Sequence, residues 1–227
     1  MNSLIEILLA KKNVKVIDAT ISYDEYVAFD LSAGHTNSLD LDLTNADKFE
    51  EYVEKYLSES KAKVAFGGYL EKRNLYKRSE NFNEINAQER NIHIGLDLWI
   101  KAGTSVLSAL DGKIHSFQNN IGLGDYGPTI IVEHFIEGFV FYTLYGHLSL
   151  ESLKDKSKGQ TVKKGEKFAE LGKSSVNGDY APHLHFQIIA NMEGNEGDYP
   201  GVCSVSDVEY YRNNCPDPEL LLKIQKG

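Results

Sequence analysis

The segment Ala181-Pro182-His183-Leu184-His185-Phe186-Gln187-Ile188 places two histidines two residues apart in a run that is otherwise typical of a buried strand. Because side chains alternate between the two faces of a strand, His183 and His185 are predicted to share one face, and the apolar residues between and after them the other. Such a strand can bury its apolar face while it presents to a cleft two metal ligands, or one ligand and one acid–base group. A His-x-His pair alone is a weak signal, so its meaning depends on partners elsewhere in the chain.

Partners are found in Ile92-His93-Ile94-Gly95-Leu96-Asp97-Leu98, a second strand-like run. His93 and Asp97 are four residues apart, an even spacing that places both side chains on one face of a strand. A strand of this kind beside the first brings two imidazoles and one carboxylate to one ion. Three protein ligands leave the fourth tetrahedral position open, as in catalytic zinc sites, whereas a closed structural site has four. No cysteine accompanies these histidines, which disfavours a thiolate-rich structural site.

A third segment, Tyr142-Thr143-Leu144-Tyr145-Gly146-His147-Leu148-Ser149, is predicted to be a strand that ends at a glycine followed by a histidine. A histidine at the end of a strand beside a metal cleft is well placed to move a proton or to stabilise an oxyanion. His147 is therefore a candidate catalytic residue. Tyr145, in the same segment, and Asn177 are candidates for the border of the cleft.

These segments together resemble peptidase family M23, the zinc metallopeptidases of the lysostaphin and LytM type, whose pattern is His-x-x-x-Asp followed much later by His-x-His. The resemblance extends from about residue 89 to about residue 190, and further motifs stand in the family's order. These motifs are Ala102-Gly103-Thr104, Asp111-Gly112, Asp125-Tyr126-Gly127, Leu144–Ser149, Val162–Glu166 and Pro182–Phe186. Several separated motifs in register make the pattern specific.

The resemblance implies a zinc-dependent endopeptidase that hydrolyses a peptide amide bond by means of a metal-activated water. It implies that His93, Asp97 and His185 are the zinc ligands, with one zinc ion per chain. His147 and His183 match the family's two catalytic histidines that are not ligands, and which of them acts as the base stays open. The implied substrate is a peptide or a peptidoglycan cross-link. The alternative is a non-catalytic M23-like binding or regulatory module.

The pattern of the whole chain predicts a β-rich α+β fold with an antiparallel sheet core of the M23 type. Short apolar runs separated by glycine-rich turns begin at Ile92, and Asp111-Gly112 between two of them is a hairpin signal. Earlier, Asn45 caps a predicted helix over residues 46–58, whose apolar residues recur every three or four positions. We expect residues 1–63 to form a small α/β N-terminal elaboration, and residues 64–227 the M23-like domain with short C-terminal helices.

Three further segments, Gly67–Arg73, Tyr199–Cys203 and Cys215–Pro218, are similar to the M23-like domain that is fused to class III aminotransferases in some multidomain proteins. The polar run from residue 71 to residue 90 is predicted to be a long loop, and such loops often line binding sites. A surface ion pair is nevertheless the more ordinary role for each of its charged residues. The candidate cleft residues in this loop are Glu71, Arg73, Tyr76 and Arg78.

Composition narrows the range of partners. The 33 acidic residues and the 24 Lys and Arg give a formal net charge of -9, which disfavours binding to nucleic acid or to an anionic membrane surface. The sequence shows neither an apolar stretch long enough to cross a bilayer nor a secretory signal, so we expect a cytoplasmic protein without membrane insertion. The alternative is an exported protein whose leader has been trimmed from this sequence. Cys203 and Cys215 are expected to be free thiols. His35, His115 and His134 are expected to be packed or surface residues with no catalytic role.

Overall fold

The computed structural model describes residues 3–36, 45–73 and 89–224. Two of the candidate cleft residues, Tyr76 and Arg78, lie outside these ranges. Within them the chain has the predicted β-rich α+β fold. Its α-helices are α1 (Leu4–Ala10), α2 (Ala33–Thr36), α3 (Ala46–Ser60), α4 (Val208–Asn214) and α5 (Glu219–Leu222).

The strands vary in length from two residues to ten. They are β1 (Tyr26–Ala28), β2 (Val64–Gly67), β3 (Ile92–His93), β4 (Leu96–Trp99), β5 (Ser105–Leu107), β6 (Gly112–Asn120), β7 (Gly127–Ile136), β8 (Phe139–Gly146), β9 (Thr161–Val162), β10 (Lys167–Glu170), β11 (His183–Ile189) and β12 (Val202–Cys203).

Eight of these strands form one open, mixed sheet in the order β1-β2-β4-β11-β8-β7-β6-β9. The β1–β2 pair is parallel, and the other neighbours in this sheet are antiparallel. Two small antiparallel sheets, β5 with β10 and β3 with β12, flank it. Because β12 lies close to the C-terminus, its pairing with β3 ties the end of the chain to the strand that carries His93.

Strand β11 lies inside the large sheet and has the predicted alternation. Leu184, Phe186 and Ile188 are fully buried in the main apolar cluster, which they share with Leu96 and Leu98 of β4. The alternate residues of β11, which include both histidines, are therefore on the opposite face of the sheet. Burial of the apolar face fixes the register, since a slip of one residue would turn every apolar side chain away from the core.

Helix α3 packs near one edge of the large sheet, on the same face of the sheet as the histidines. It begins as predicted, because the Asn45 side chain accepts a hydrogen bond from the Lys48 backbone nitrogen at 3.0 Å. Phe49 and Val53 bury its inner side in a cluster that contains Trp99 of β4. The N-terminal part of the chain thus packs against the strand that carries Asp97.

Two local predictions are wrong. The predicted strand over residues 92–98 is two strands, β3 and β4, separated by Ile94 and Gly95. Asp111-Gly112 does not join a hairpin, because β5 pairs with β10 while β6 pairs with β7 and β9. In both cases, pairing with distant segments outweighs the local pattern.

The division of the chain at residue 63 stays a prediction, and β1 from before this boundary pairs with β2 after it. Cys203 and Cys215 are both buried, unpaired thiols. In the part of the chain that the structure describes, no helix has the length and apolar character needed to cross a bilayer.

Candidate metal centre

The pairing of β4 with β11 brings Asp97 directly opposite His185. His93, on β3, completes a cluster in which His93 Nε2 and His185 Nδ1 each lie 3.2 Å from Asp97 Oδ1. The two imidazole nitrogens are 2.9 Å apart. All three side chains are buried, and each residue is 2% exposed. Within the described ranges, they form the one group of three ligand-type side chains close enough to hold a metal ion.

The break between β3 and β4 is what makes this cluster possible. Four residues of regular strand span about 13 Å, too far for His93 and Asp97 to bind the same ion. The backbone nitrogen of Ile94 instead donates to the Gly201 carbonyl oxygen at 3.0 Å, so the chain leaves the main sheet between the two ligands. Gly95 leaves room for the imidazole of His185, because a Cβ there would lie 2.5 Å from its Nε2.

Hydrogen bonds behind the two rings fix which nitrogen carries the proton. His93 Nδ1 lies 3.0 Å from the Gly68 carbonyl oxygen, which can only accept, so Nδ1 is protonated and Nε2 is bare. His185 Nε2 lies 2.9 Å from Gln187 Oε1. The Gln187 amide nitrogen donates to the Pro200 carbonyl oxygen at 3.1 Å, so Oε1 accepts and His185 Nδ1 is bare. Two unprotonated ring nitrogens and a carboxylate oxygen therefore converge, and this arrangement favours a bound cation.

Asp97 is ionised and His93 is neutral near neutral pH. Burial opposes ionisation of Asp97, but the adjacent His93 and Arg73 outweigh it and hold the pKa of this carboxyl well below its usual range. Burial, helped by Arg73, lowers the pKa of His93 to about 4. Because His93 is therefore uncharged near neutral pH, the permanent charge of Arg73 is the main cause of the low pKa of Asp97. The cluster offers a metal one carboxylate and neutral imidazole nitrogen.

His147 and His183 lie beside this cluster, with ring centroids 4.1 Å apart. His147 Nδ1 is 2.8 Å from the Asn177 carbonyl oxygen. His183 Nδ1 is 2.8 Å from the Ala181 carbonyl oxygen. Each ring is therefore protonated at Nδ1 and has its lone pair at Nε2, and Nε2 of His183 is 3.9 Å from Asp97 Oδ1. His147 has a φ of 61°, a strained value that residues other than glycine adopt mainly at special sites.

Both of these histidines are neutral near neutral pH. Burial lowers the pKa of His147 well below its usual value, and the neighbouring His183 and His185 add to the effect. Burial also lowers the pKa of His183, although the Asp97 carboxylate acts in the opposite direction. A neutral imidazole with a fixed Nδ1 proton can accept a proton at Nε2, which is the requirement for a general base.

The cluster lines a cleft of about 630 Å³. Trp99 stacks on the His183 ring, with 5.7 Å between centroids and 22° between planes. Tyr180 packs edge-on against the His147 ring at 5.3 Å. These aromatic contacts and the Nδ1 hydrogen bonds hold both imidazoles in one orientation. The cleft therefore presents two oriented proton acceptors next to the ligand cluster.

The structure brings together all five residues predicted for the site, and their separate roles stay predictions. Arg73 lines the cleft, but the predicted surface ion pair is wrong, since its guanidinium is buried against Asp97. Tyr145 does not border the cleft: it is fully buried in the main core, and its hydroxyl accepts from the Ala109 backbone nitrogen at 2.9 Å. Asn177 borders the site through its carbonyl oxygen.

Two contributors were not predicted from the sequence. Gln187, which orients His185, is two residues further along β11, so the alternation of the strand already places it on the same face. Tyr126 lies with its hydroxyl 3.4 Å from His185 Nε2. Nothing in the spacing of Tyr126 points to His185, because the contact depends on the packing of the loop between β6 and β7.

Residues 91–196 match the model of peptidase family M23, the family that the sequence motifs resemble. Over 99 residues the chain is 33% identical to an "Uncharacterized metalloprotease" of Haemophilus influenzae, a match that covers 44% of this chain and 19% of that protein. The chain thus spans about a fifth of the curated relative that it matches.

Several solved structures are similar to the chain, and two of them illustrate the similarity. A zinc containing peptidase from Vibrio cholerae is 30% identical, with a TM-score of 0.34, over 48% of this chain and 31% of that one. The catalytic domain of lysostaphin from Staphylococcus simulans is 22% identical, with a TM-score of 0.37, over 58% of this chain and 93% of that one. The match to the family model supports a metallopeptidase. The predicted similarity to domains fused to aminotransferases stays a prediction.

Proposed function

We propose that this chain is a zinc-dependent metallo-endopeptidase that hydrolyses a peptide amide bond. The observation that carries the proposal is the convergence of two unprotonated imidazole nitrogens and one carboxylate oxygen in a buried cluster beside a cleft. The low pKa of His93, about 4, means that its Nε2 carries no proton near neutral pH. A divalent cation would bind the two nitrogens and the carboxylate oxygen together.

The donor set fits zinc. Zinc binds imidazole nitrogen and carboxylate oxygen at about 2.0–2.2 Å, which places tetrahedral ligands about 3.3 Å from one another. The three distances between ligand atoms here, 3.2, 3.2 and 2.9 Å, are close to that spacing. We assign the ligand roles to His93 Nε2, Asp97 Oδ1 and His185 Nδ1, with one zinc per chain. A bound zinc ion would supply Lewis acidity that polarises the scissile carbonyl and activates a water.

His147 and His183 supply the proton transfers that amide hydrolysis requires. The nucleophilic water must lose a proton and the leaving amine must gain one, and each ring has an unprotonated Nε2 beside the ligand cluster. The Nδ1 hydrogen bonds to the Asn177 and Ala181 carbonyl oxygens hold the two rings, and therefore their Nε2 lone pairs, in a fixed orientation during turnover. Once protonated, either ring can donate a hydrogen bond to the developing oxyanion.

The proposed substrate is a peptide or a peptidoglycan cross-link. The cleft has room for several residues of an extended chain, and aromatic side chains flank the site. The net charge of -9 supports a partner that is not a nucleic acid. A cytoplasmic location and the absence of membrane insertion remain part of the proposal and rest on the sequence pattern.

A cleavage panel tests this function. Purified protein should be incubated with synthetic peptides, glycine-rich linkers and cell-wall fragments, with and without a chelator, and products identified by mass spectrometry. We expect cleavage that stops on chelation and returns with zinc. His183→Ala and His147→Ala should retain zinc and lose about 10²–10⁴-fold in rate. His115→Ala, a histidine outside the cleft, is the matched control and should retain full activity.

The same panel separates the two functional classes. Wild-type protein that holds zinc but cleaves none of the substrates would contradict the peptidase proposal and favour a non-catalytic binding or regulatory module. Cleavage that persists in a chelator would remove zinc from the mechanism. Equal activity of wild type and both histidine variants would remove His147 and His183 from the proton transfers.

A further inference from the structure

Arg73 lies against the metal centre although it is outside the M23 match, which begins at residue 91. Its side chain is 3% exposed, its Nη1 lies 2.6 Å from Asp97 Oδ2, and its Nε lies 2.6 Å from Glu71 Oε2. The backbone nitrogen of Arg73 donates to the Asn91 carbonyl oxygen at 2.8 Å. The segment is therefore joined by a backbone hydrogen bond to the residue before β3, and by the ion pair with Asp97 to β4.

We propose that Arg73 is a positioning residue of the metal centre, which holds Asp97 so that Oδ1 alone faces His93 and His185. The inference rests on the proposed metal-dependent function and adds to it a residue from outside the family match. The two carboxylate oxygens of Asp97 have separate partners: Oδ2 binds the guanidinium, and Oδ1 lies 3.2 Å from each ligand nitrogen. Occupation of Oδ2 favours a metal bound through one oxygen only.

The surroundings of Arg73 suit a guanidinium. A Cβ on Gly68 would lie 1.9 Å from Arg73 Nη2, so only glycine leaves room for the group at this position, where φ is +105°. The guanidinium carbon also lies 5.6 Å from the centre of the Trp99 ring. A planar, forked cation can bind two carboxylates and an aromatic face together, whereas the compact ammonium of lysine cannot reproduce this set of contacts.

Glu71 connects this arrangement to the N-terminal part of the chain. Its Oε1 accepts a hydrogen bond from the Leu31 backbone nitrogen at 2.9 Å, while its Oε2 holds Arg73. The backbone nitrogen of Glu71 donates to the Gly68 carbonyl oxygen, which also accepts from His93 Nδ1. Residues 68–73 thus support two of the three metal ligands, and the centre is incomplete without them.

The test compares Arg73→Lys and Arg73→Met with Lys72→Met, the matched control, which removes a positive charge from the exposed neighbouring residue. Zinc affinity is measured by competition with a chelator, and the geometry of the site by the visible absorption of the cobalt(II)-loaded protein. We expect both Arg73 variants to bind zinc about 10- to 100-fold more weakly and to give an altered cobalt spectrum. Lys72→Met should match the wild type in both.

Arg73→Lys keeps a cation in place, so it tests geometry even if Arg73→Met does not fold. Wild-type zinc affinity together with a wild-type cobalt spectrum in Arg73→Lys would overturn the inference. Tighter zinc binding in Arg73→Met would also overturn it, since that result means that Arg73 acts only by repelling the metal. Failure of the wild-type protein to bind zinc would instead contradict the proposed function.

Discussion

Two buried histidine sites in this chain differ in how their ring nitrogens are satisfied. His134, on β7, is fully buried, its Nδ1 lies 2.9 Å from the Asp111 carbonyl oxygen, and its Nε2 lies 2.8 Å from the Thr143 hydroxyl. Its NH group and its lone pair thus each have a complementary partner. At the metal centre, by contrast, the lone pairs of His93 and His185 face each other at 2.9 Å.

Burial alone does not identify a functional histidine in this chain. Burial lowers the pKa of both His134 and His93 to about 4, so a perturbed pKa does not distinguish them either. What differs is whether the protein itself completes the hydrogen bonds. His134 is satisfied by a carbonyl and a hydroxyl and is a packed core residue, as predicted. In the ligand cluster, two ring lone pairs and a carboxylate oxygen face one another, and the proposed metal ion would bind all three.

The largest effect that we expect is on metal binding. His185→Ala removes one of the three proposed ligands. A zinc-binding free energy of about 10–16 kcal/mol, divided among three ligands, corresponds to roughly 3–5 kcal/mol for each. The variant should therefore bind zinc at least about 10²–10³-fold more weakly. His134→Gln, which also removes a buried imidazole, should keep the wild-type affinity. Zinc content after dialysis and chelator competition measure both.

Stoichiometric zinc in His185→Ala would remove this residue from the ligand set. A loss of affinity in His134→Gln as large as that in His185→Ala would contradict the comparison in a different way. It would mean that any buried imidazole supports metal binding through the stability of the fold.

A smaller effect is expected on the pH dependence of stability, through His134. His134 has a folded pKa of about 4, so between its ordinary value of 6.5 and pH 4 the unfolded chain binds a proton that the folded chain does not. The free energy of unfolding therefore falls with falling pH in this window, by about 3 kcal/mol from this residue. His134→Gln lacks this contribution, so the wild type should lose about 3 kcal/mol relative to the variant between pH 7 and pH 4.

Urea unfolding of both proteins in a chelator, at several pH values, gives this difference. The chelator removes metal binding from the comparison, and the other histidines contribute equally to both proteins. A difference in unfolding free energy that does not change with pH would contradict this prediction. It would show that His134 is protonated equally in the folded and unfolded chains, and that burial does not disfavour its charged form.

The sequence predicted the elements whose pattern is set by burial. The alternation in β11 and the three- and four-residue recurrence in α3 are direct consequences of packing one face, so both elements lie where expected. The hairpin signal at Asp111-Gly112 failed because β5 pairs with β10, far along the chain. Local turn chemistry contains no information about such distant partners.

The site was predictable as a set of residues but not as a geometry. Motif order identified His93, Asp97 and His185. The sequence analysis expected His93 and Asp97 on one regular strand, however, and such a strand would have kept them about 13 Å apart. The break at Ile94 and Gly95 depends on the pairing of β3 with β12, which comes from the other end of the domain. The burial of Arg73 was not predicted for the same reason, since it depends on contacts between distant segments.

The most direct test of the account is to locate the metal. Crystals of the zinc-loaded protein, measured at the zinc absorption edge, should show one anomalous peak bound by His93 Nε2, Asp97 Oδ1 and His185 Nδ1 at about 2.0–2.2 Å. His147 and His183 should lie beside the ion and leave its fourth position open. A peak on other residues, or no peak at these three atoms in protein that carries zinc, would contradict the account.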